Sequence, residues 1–210
     1  MSMRQLVLGI SPPPEPTFAG FVKGRNDELM ARLHSLAAGT LGETVVYLWG
    51  ERGAGRTHLL GATLRAATDP ARLFVTDDVD GLDEPAQIAL FNRINAVREP
   101  SGTPGGTVLA TGSAPPAQLA LRDDLKSRLA WGLVYQVHPL TDAEKADYLR
   151  EEAARRGLRI GDEVVGYLLT HVRRDLPTLV SILDHLDEYS LSRKRPLTLP
   201  LVREALGAMQ

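Results

Sequence analysis

Apolar positions along this chain alternate between two periods. Val45-Val46-Tyr47-Leu48-Trp49 is an unbroken apolar run of strand length, the pattern of a strand covered on both faces. Largely apolar segments of four or five residues occupy 73–76, 107–110 and 133–137. Helix-period segments separate them: 56–67, then 84–97 with Ile88, Phe91, Ile94 and Val97 on one stripe, then 116–129, whose prolines allow a break. A further helix fits 26–38. Strands alternating with helices predict a parallel sheet sandwiched between helices. Beyond Pro139 the strand pattern stops. Thr141-Asp142-Ala143-Glu144 is a capping box, and the helix it opens is closed by Gly157. Asp162 is placed to cap a second helix reaching about His171, with a third over 175–192 and a fourth over 198–209. The expected fold is α/β, a base at 17–138 followed by an all-helical appendage at 139–210.

The first sixteen residues fit neither element. They end Ser11-Pro12-Pro13-Pro14-Glu15-Pro16, and proline removes a donor and keeps its predecessor out of the helical region. A flexible or polyproline-type leader is expected at 1–16.

Composition narrows the function classes. Of 210 residues, 43% are apolar and 24% charged, ordinary for a globular chain with a core. No apolar run approaches a membrane span. The absence of cysteine excludes a disulfide framework, a thiolate zinc site and a cysteine nucleophile, and suits a cytoplasmic location. The net charge is −2, with 13 basic and 14 acidic side chains in 1–138 and 11 and 12 in 139–210. Neither part is a basic body, so strong direct DNA binding by phosphate neutralisation is not expected. The expected partners are a protein and a small ligand.

Gly50-Glu51-Arg52-Gly53-Ala54-Gly55-Arg56-Thr57 joins a predicted strand to a predicted helix. It is the phosphate-loop pattern G-x-x-x-x-G-K-[ST] with arginine in place of lysine. Glycines let backbone N–H groups turn toward a phosphate, and the helix start adds partial positive charge. Thr57 would offer a hydroxyl to Mg²⁺. Arg56 keeps the charge but spreads it over a broad fork. The alternative is a glycine-rich turn that binds nothing. Leu73-Phe74-Val75-Thr76-Asp77-Asp78 is an apolar strand ending in two carboxylates: Asp77 would hold Mg²⁺ and Asp78 would orient an attacking water. Asp-Asp also occurs in plain surface turns. The 20 residues from Thr57 to Asp77 leave room for one helix and a turn, not for another strand and crossover, so the acidic strand should directly follow the loop's helix.

Several strings together resemble AAA+ ATPases of the bacterial initiator DnaA clade, and within it the Hda family of DnaA regulatory inactivators. They are Thr17-Phe18-x-x-Phe21-Val22-x-Gly24-x-Asn26, the loop continued as Gly55-Arg56-Thr57-His58-Leu59-Leu60, Asp77-Asp78, Thr111-Gly112-Ser113-Ala114-Pro115-Pro116, Ser127-Arg128-Leu129-Ala130-Trp131-Gly132, Pro139-Leu140-Thr141-Asp142 and Lys194-Arg195-Pro196-Leu197-Thr198. The resemblance spans nearly the whole chain and implies an AAA+ base with a helical lid. It implies ADP or ATP with Mg²⁺ as cofactors, Phe18, Phe21, Val22, Gly24 and Asn26 near the adenine, and Gly50, Gly53, Ala54, Gly55, Arg56, Thr57 and His58 around the phosphates. The bland reading of the two phenylalanines is core packing, and both can hold. Arg128 takes the position of an arginine finger offered to a neighbouring subunit's nucleotide, a role worth roughly 10³–10⁵ in rate; without the family context an arginine beside Trp131 reads as a surface ion-pair or cation–π partner. Gln5-Leu6-Val7-Leu8 resembles the peptide by which this family docks on the DNA polymerase III sliding clamp (the β subunit): a glutamine amide to hydrogen-bond, with Leu6 and Leu8 for burial.

The implied job is to make DnaA hydrolyse its own ATP, limiting re-initiation of replication, with DnaA and the clamp as partners and homodimer formation left open. The chain departs from the pattern in three places. Pro177 stands where the lid often supplies a sensor arginine, with Arg173 and Arg174 nearby. Ser113 stands where relatives often have an acidic sensor, and the sheet is shortened between Thr57 and Asp77. With Arg56, the first two point to weak intrinsic turnover. The rival readings are a self-hydrolysing AAA+ ATPase such as a helicase loader, and a DnaA-like DNA-binding module.

Overall fold

The structure, a computed structural model, describes residues 15–98, 105–173 and 175–208. Strands β1 (Val45–Trp49), β2 (Leu73–Thr76), β3 (Thr107–Gly112) and β4 (Leu133–Gln136) form one parallel sheet in the order β2-β3-β1-β4. The central pair is in register from Val45↔Val108 to Trp49↔Gly112. Alternation along β1 assigns its two faces. Val46 and Leu48 join Leu109 beneath α1 (Asp27–Ala37) and α2 (Arg56–Ala66), where Leu29, Leu33, Leu59 and Leu60 are buried. Val45 and Tyr47 join Val108 and Ala110 beneath α3 (Glu84–Arg98) and α4 (Asp123–Leu129). Covering both faces explains why β1 carries no polar residue. The base is therefore three-layered, and the short interval after the loop leaves β2, with its two aspartates, at the sheet edge.

Two helices of the base differ from expectation. The buried face of α3 is Leu90, Ile94 and Val97, whereas Ile88 is 39% exposed and Phe91 half-buried. Positions 90, 94 and 97 follow the four-then-three spacing of a single helix face, so the stripe lies further round the helix than the one through Ile88. Segment 116–129 divides into a 3₁₀ turn at Pro116–Gln118 and α4, because Leu119 turns extended and it and Leu121 bury their side chains in the core between the two.

The lid contains α5 (Asp142–Arg155), α6 (Asp162–His171), α7 (Leu176–Arg193) and α8 (Leu199–Gly207) around its own core, with Leu149, Leu168, Leu179, Leu183, Leu186 and Leu201 fully enclosed. The capping box of α5 forms as expected: Glu144 N–H donates to Thr141 Oγ1 at 3.2 Å, and Thr141 N–H donates to Glu144 Oε2 at 2.7 Å. Gly157 follows that helix in a left-handed conformation, φ +73°. The cap of α6 is Gly161 rather than Asp162, which is the first helical residue and accepts Arg150 Nη2 at 2.9 Å instead. Its carboxylate still sits at the favourable end of the helix dipole. Asp175 caps α7, accepting the Thr178 N–H at 3.0 Å. Among the described residues no helix is long and apolar enough to cross a membrane.

Candidate functional site

The glycine loop turns off the end of β1 into α2 under constraints that only glycine meets. A Cβ on Gly50 would stand 2.6 Å from the Val137 carbonyl oxygen. Gly53 and Gly55 have φ of +86° and +97°, a region costly for any side chain. Gly55 is also the cap of α2 and lies under the Phe21 ring, 2.7 Å from where its Cβ would be. Ala54 is buried, Thr57 is exposed in the first turn of α2, and the His58 ring, through Nε2, bonds the Thr17 carbonyl at 2.8 Å.

Arg56 leads into this loop from the start of α2 with its side chain only 11% exposed. Its Nη1 lies 2.9 Å from Asp78 Oδ1. That nitrogen is nonetheless buried with no aligned hydrogen-bond acceptor, so the pair is a close charge contact rather than a directed hydrogen bond. Asp78 is held in place by its backbone: φ is +43°, and its N–H donates to Thr111 Oγ1 at 2.9 Å and to Asp77 Oδ1 at 3.1 Å. The buried Thr111 hydroxyl in turn donates to Asp77 Oδ1. Next along, Asp80 accepts the Ser113 N–H at 2.8 Å and the Ser113 hydroxyl at 2.6 Å. Tyr47 donates to the Ala114 carbonyl at 2.8 Å. Burial first, then the Asp80 carboxylate, push its phenol far above the usual tyrosine range, so it remains a protonated donor.

The segment before α1 lies against both the loop and the lid. Phe18 rests on His34 with ring centres 4.2 Å apart, and Phe21 covers Gly55. Val22 is half-buried. Gly24, at φ +48°, faces lid residues: a Cβ there would stand 2.7 Å from Leu140 Cδ2 and 3.3 Å from Glu144 Oε1. Asn26 is 2% exposed, and its amide is spent on backbone. Nδ2 donates to Lys23 O at 3.0 Å and His138 O at 2.9 Å, while Oδ1 accepts the His138 N–H at 2.8 Å. Asn26 therefore pins the entry of α1 to the chain leaving β4, a role its place in a sequence string did not disclose. The lid also reaches the loop through Asp175, whose Cβ is 3.9 Å from where a Gly53 Cβ would stand.

These groups fit a nucleotide. Three loop positions exclude a side chain, and the buried Arg56 Nη1 has no aligned acceptor, the donor set a phosphate oxygen would complete. Thr57 and Asp77 offer the hard oxygen ligands that Mg²⁺ takes. Two hollows, of about 430 and 460 Å³, lie instead at the opposite ends of the strands, one along Gly39, Glu43, Arg72 and Gly106 and the other beside Arg98 and Trp131. That is the end where α1 and α2 terminate, and no glycine-loop residue lines either.

Arg128 lies in the last turn of α4. Its Nε donates to Asn95 Oδ1 at 2.8 Å, and its Cζ stands 3.5 Å from the Trp131 ring centre and 5.3 Å from that of Phe91. The cation–π contact anticipated for an arginine beside Trp131 is thus present, on the base and not in the lid. Asn95, Thr111, Asp80 and Tyr47 are the participants that sequence reasoning missed. None carries a local sequence signal for these contacts, and only tertiary contact gives each its role. In the lid, Pro177 sits in the first turn of α7, and Arg173, 75% exposed, places Nε 3.3 Å from Asp175 Oδ2. Gln5, Leu6, Leu8 and Arg174 lie outside the described residues.

Residues 142–206 match the family model described as Hda, lid domain. The chain is similar in structure to domain III of the Thermotoga maritima replication initiation protein DnaA, with a TM-score of 0.72, 18% identity, and 93% of this chain and 97% of that one covered. It is similar to AMPPCP-bound DnaA from Aquifex aeolicus, with a TM-score of 0.67, 20% identity, and 86% and 68% covered. It is also similar to the Thermotoga maritima RuvB Holliday junction branch migration motor, with a TM-score of 0.64, 15% identity, and 92% and 72% covered. These likenesses show the fold, which this chain shares with DnaA and RuvB, and the Hda match is carried by the lid segment 142–206.

Proposed function

We propose that this chain is a regulatory inactivator of DnaA, a nucleotide-binding partner that completes ATP hydrolysis on the initiator. The observation that carries the reading is the Hda lid match on a DnaA-like base. The fold alone does not choose, because a branch-migration motor shares it.

In this reading Gly50, Gly53, Ala54, Gly55, Arg56, Thr57 and His58 enclose the phosphates of ADP or ATP. Phe18, Phe21, Val22, Gly24 and Asn26 form the wall toward the adenine; Asn26 acts by fixing that wall, since its amide already serves the backbone. Mg²⁺, held by Thr57 and Asp77, supplies charge neutralisation at the phosphate oxygens when bound. Asp78 stands where a carboxylate would orient water, but its contact with Arg56 opposes that work. The Asp78 oxygen that faces Arg56 Nη1 at 2.9 Å is not free to hold a water. The nucleotide here therefore serves to set structure, with slow or no intrinsic turnover.

The catalytic contribution is Arg128, given in trans to ATP on DnaA. A guanidinium at the departing phosphoryl group neutralises charge that develops only in the transition state. Gln5, Leu6 and Leu8 tether the leader to the sliding clamp, and the tether raises the local concentration of the chain on replicated DNA. The consequence is limited re-initiation, in the cytoplasm, with no direct DNA grip required.

The test is hydrolysis of ATP bound to DnaA, with and without this chain, in the presence of DNA-loaded clamp and ADP. Stimulation that disappears in Arg128→Ala supports the reading. Undiminished stimulation by that variant discards the finger. Steady ATP turnover by the isolated chain, with none added on DnaA, favours the self-hydrolysing alternative. Alanine at Gln5, Leu6 and Leu8 together should abolish retention on clamp in a pull-down, and unchanged retention removes the tether.

A further inference from the structure

Trp131 carries a guanidinium on each face. Cζ of Arg128 stands 3.5 Å from its ring centre and Cζ of Arg98 stands 4.2 Å away. Two flat cations that close to one ring centre would overlap if they shared a face, so the indole lies between them. Arg98 ends α3 and Arg128 lies in the last turn of α4, which makes the sandwich a clasp between two packed helices. Trp131 remains 45% exposed all the same. Core packing therefore does not account for a large aromatic here.

The chemistry of the stack differs from that of an ion pair. Attraction to a π face uses the flat side of a guanidinium and leaves its N–H groups, which lie in the plane, available for acceptors. For Arg128 one of those groups, Nε–H, is taken by the neutral amide oxygen of Asn95 at 2.8 Å, which fixes rotation within the stacking plane. Among the described residues no acceptor stands at Nη1 or Nη2. Arg122, one residue before α4, shows the alternative: its Nε and Nη2 lock onto both carboxylate oxygens of Asp124, at 3.2 and 2.9 Å. A guanidinium held that way is neutralised and its fork occupied. One held by an indole and an amide keeps both charge and fork.

We propose that Trp131, backed by Arg98, and Asn95 are positioning residues for Arg128, holding its guanidinium oriented but uncompensated for a phosphate carried by another subunit. The proposal rests on the trans-arginine reading above and adds what delivers the arginine in a usable pose. A free arginine side chain loses considerable rotamer entropy on ordering, and a stack formed before encounter removes that cost from the reacting complex.

The experiment uses the full chain, DNA-loaded clamp, ADP, and DnaA carrying radiolabelled ATP, titrated to give a maximal rate and a half-stimulating concentration. Trp131→Ala should lower the maximal rate roughly 10- to 100-fold, the scale of a misplaced catalytic group, with the half-stimulating concentration unchanged. Trp131→Phe, which keeps an aromatic face, should restore most of the rate. Asn95→Ala should give a smaller loss of the same kind. With Trp49 replaced by Phe, Trp131 is the only indole, and acrylamide quenching of its emission should rise in Arg128→Ala and in Arg98→Gln. Full activity of Arg128→Ala overturns the finger reading and this inference with it. Loss in Arg128→Ala with full maximal rates in Trp131→Ala and Asn95→Ala overturns the positioning alone. So does a raised half-stimulating concentration at an unchanged rate, since Trp131 would then be a docking contact. If Trp131→Ala fails to fold, Asn95→Ala and Arg98→Gln decide between the same outcomes.

Discussion

Arg56 and Arg128 are half-buried arginines on opposite faces of one sheet, and the molecule treats them differently. At the glycine loop, Arg56 stands 2.9 Å from the Asp78 carboxylate, charge against charge. On the other face, Arg128 stacks on an indole 3.5 Å away and bonds a neutral amide. The first arrangement quiets a cation and the carboxylate beside it together. The second orients a cation without neutralising it. The arginine proposed to act in trans thus lies away from this chain's own glycine loop, and the ion-paired one lies on it.

Replacing each arginine by lysine breaks the comparison most sharply. Lysine has neither a flat face to stack nor a fork to share between Asn95 and a phosphate. Arg128→Lys should therefore lose roughly 10³-fold in stimulated hydrolysis of DnaA-bound ATP, near the lower end for an arginine finger, with nucleotide affinity of the chain itself unchanged by equilibrium titration. Arg56→Lys restores the common phosphate-loop residue and loosens the hold on Asp78. It should leave stimulation nearly intact while intrinsic ATP turnover rises, measured as phosphate release without partner. Equal effects of the two substitutions would remove the distinction.

A second test disturbs the loop side alone. Asn26→Ala strands the half-buried His138 N–H and removes two further hydrogen bonds, which should cost about 2–3 kcal/mol in chemical denaturation. Gly55→Ala forces a Cβ into a left-handed conformation and against the Phe21 ring, at about 1–3 kcal/mol, and should weaken nucleotide binding as well. Neither should alter the acrylamide quenching of Trp131 in the Trp49→Phe background. If quenching shifts, the two sites are mechanically coupled across the sheet.

Those two substitutions also mark where the sequence stops being legible. The strands, the loop and the capping box were readable because each is set by neighbours in sequence: apolar runs, glycine spacing, a Thr-to-Glu offset of three. That β2 directly follows α2 was readable from the length of chain between Thr57 and Asp77, since too few residues remain for another crossover; its place at the sheet edge came from the structure. Asn26 was not readable, because its partner is 112 positions away at His138. Asn95 and Thr111 failed to stand out for the same reason, each lying more than thirty positions from the group it serves. The stripe on α3 was misjudged because Ile88 and Leu90 are equally apolar, and only the packing of the sheet against 90, 94 and 97 separates them. Aspartate is a preferred cap, so Asp162 reads as one in sequence, but Gly161 is the extended residue that precedes α6.

The smallest expected effect lies at the seam between lid and loop. Burial pushes the Asp175 carboxyl up, but the Thr178 hydroxyl and N–H, with the Arg173 guanidinium, outweigh it and hold the group below the ordinary carboxylate range. A lowered folded-state pKa stabilises the lid above the unfolded-state value, near 4, and that contribution is lost as pH falls through the folded value. Asp175→Ala should cost about 1 kcal/mol by removing the cap of α7. Asp175→Asn should keep most of the cap, because asparagine caps as well as aspartate, while losing this group's share of the acid dependence. Asp175 abuts Gly53, so the loss in Asp175→Ala should appear as weaker nucleotide binding before any change at Trp131. Measured together across pH 3 to 6, nucleotide titration and indole quenching should therefore separate, the first declining in acid while the second holds. A joint decline would mean that the lid, and not the base alone, maintains the arginine stack.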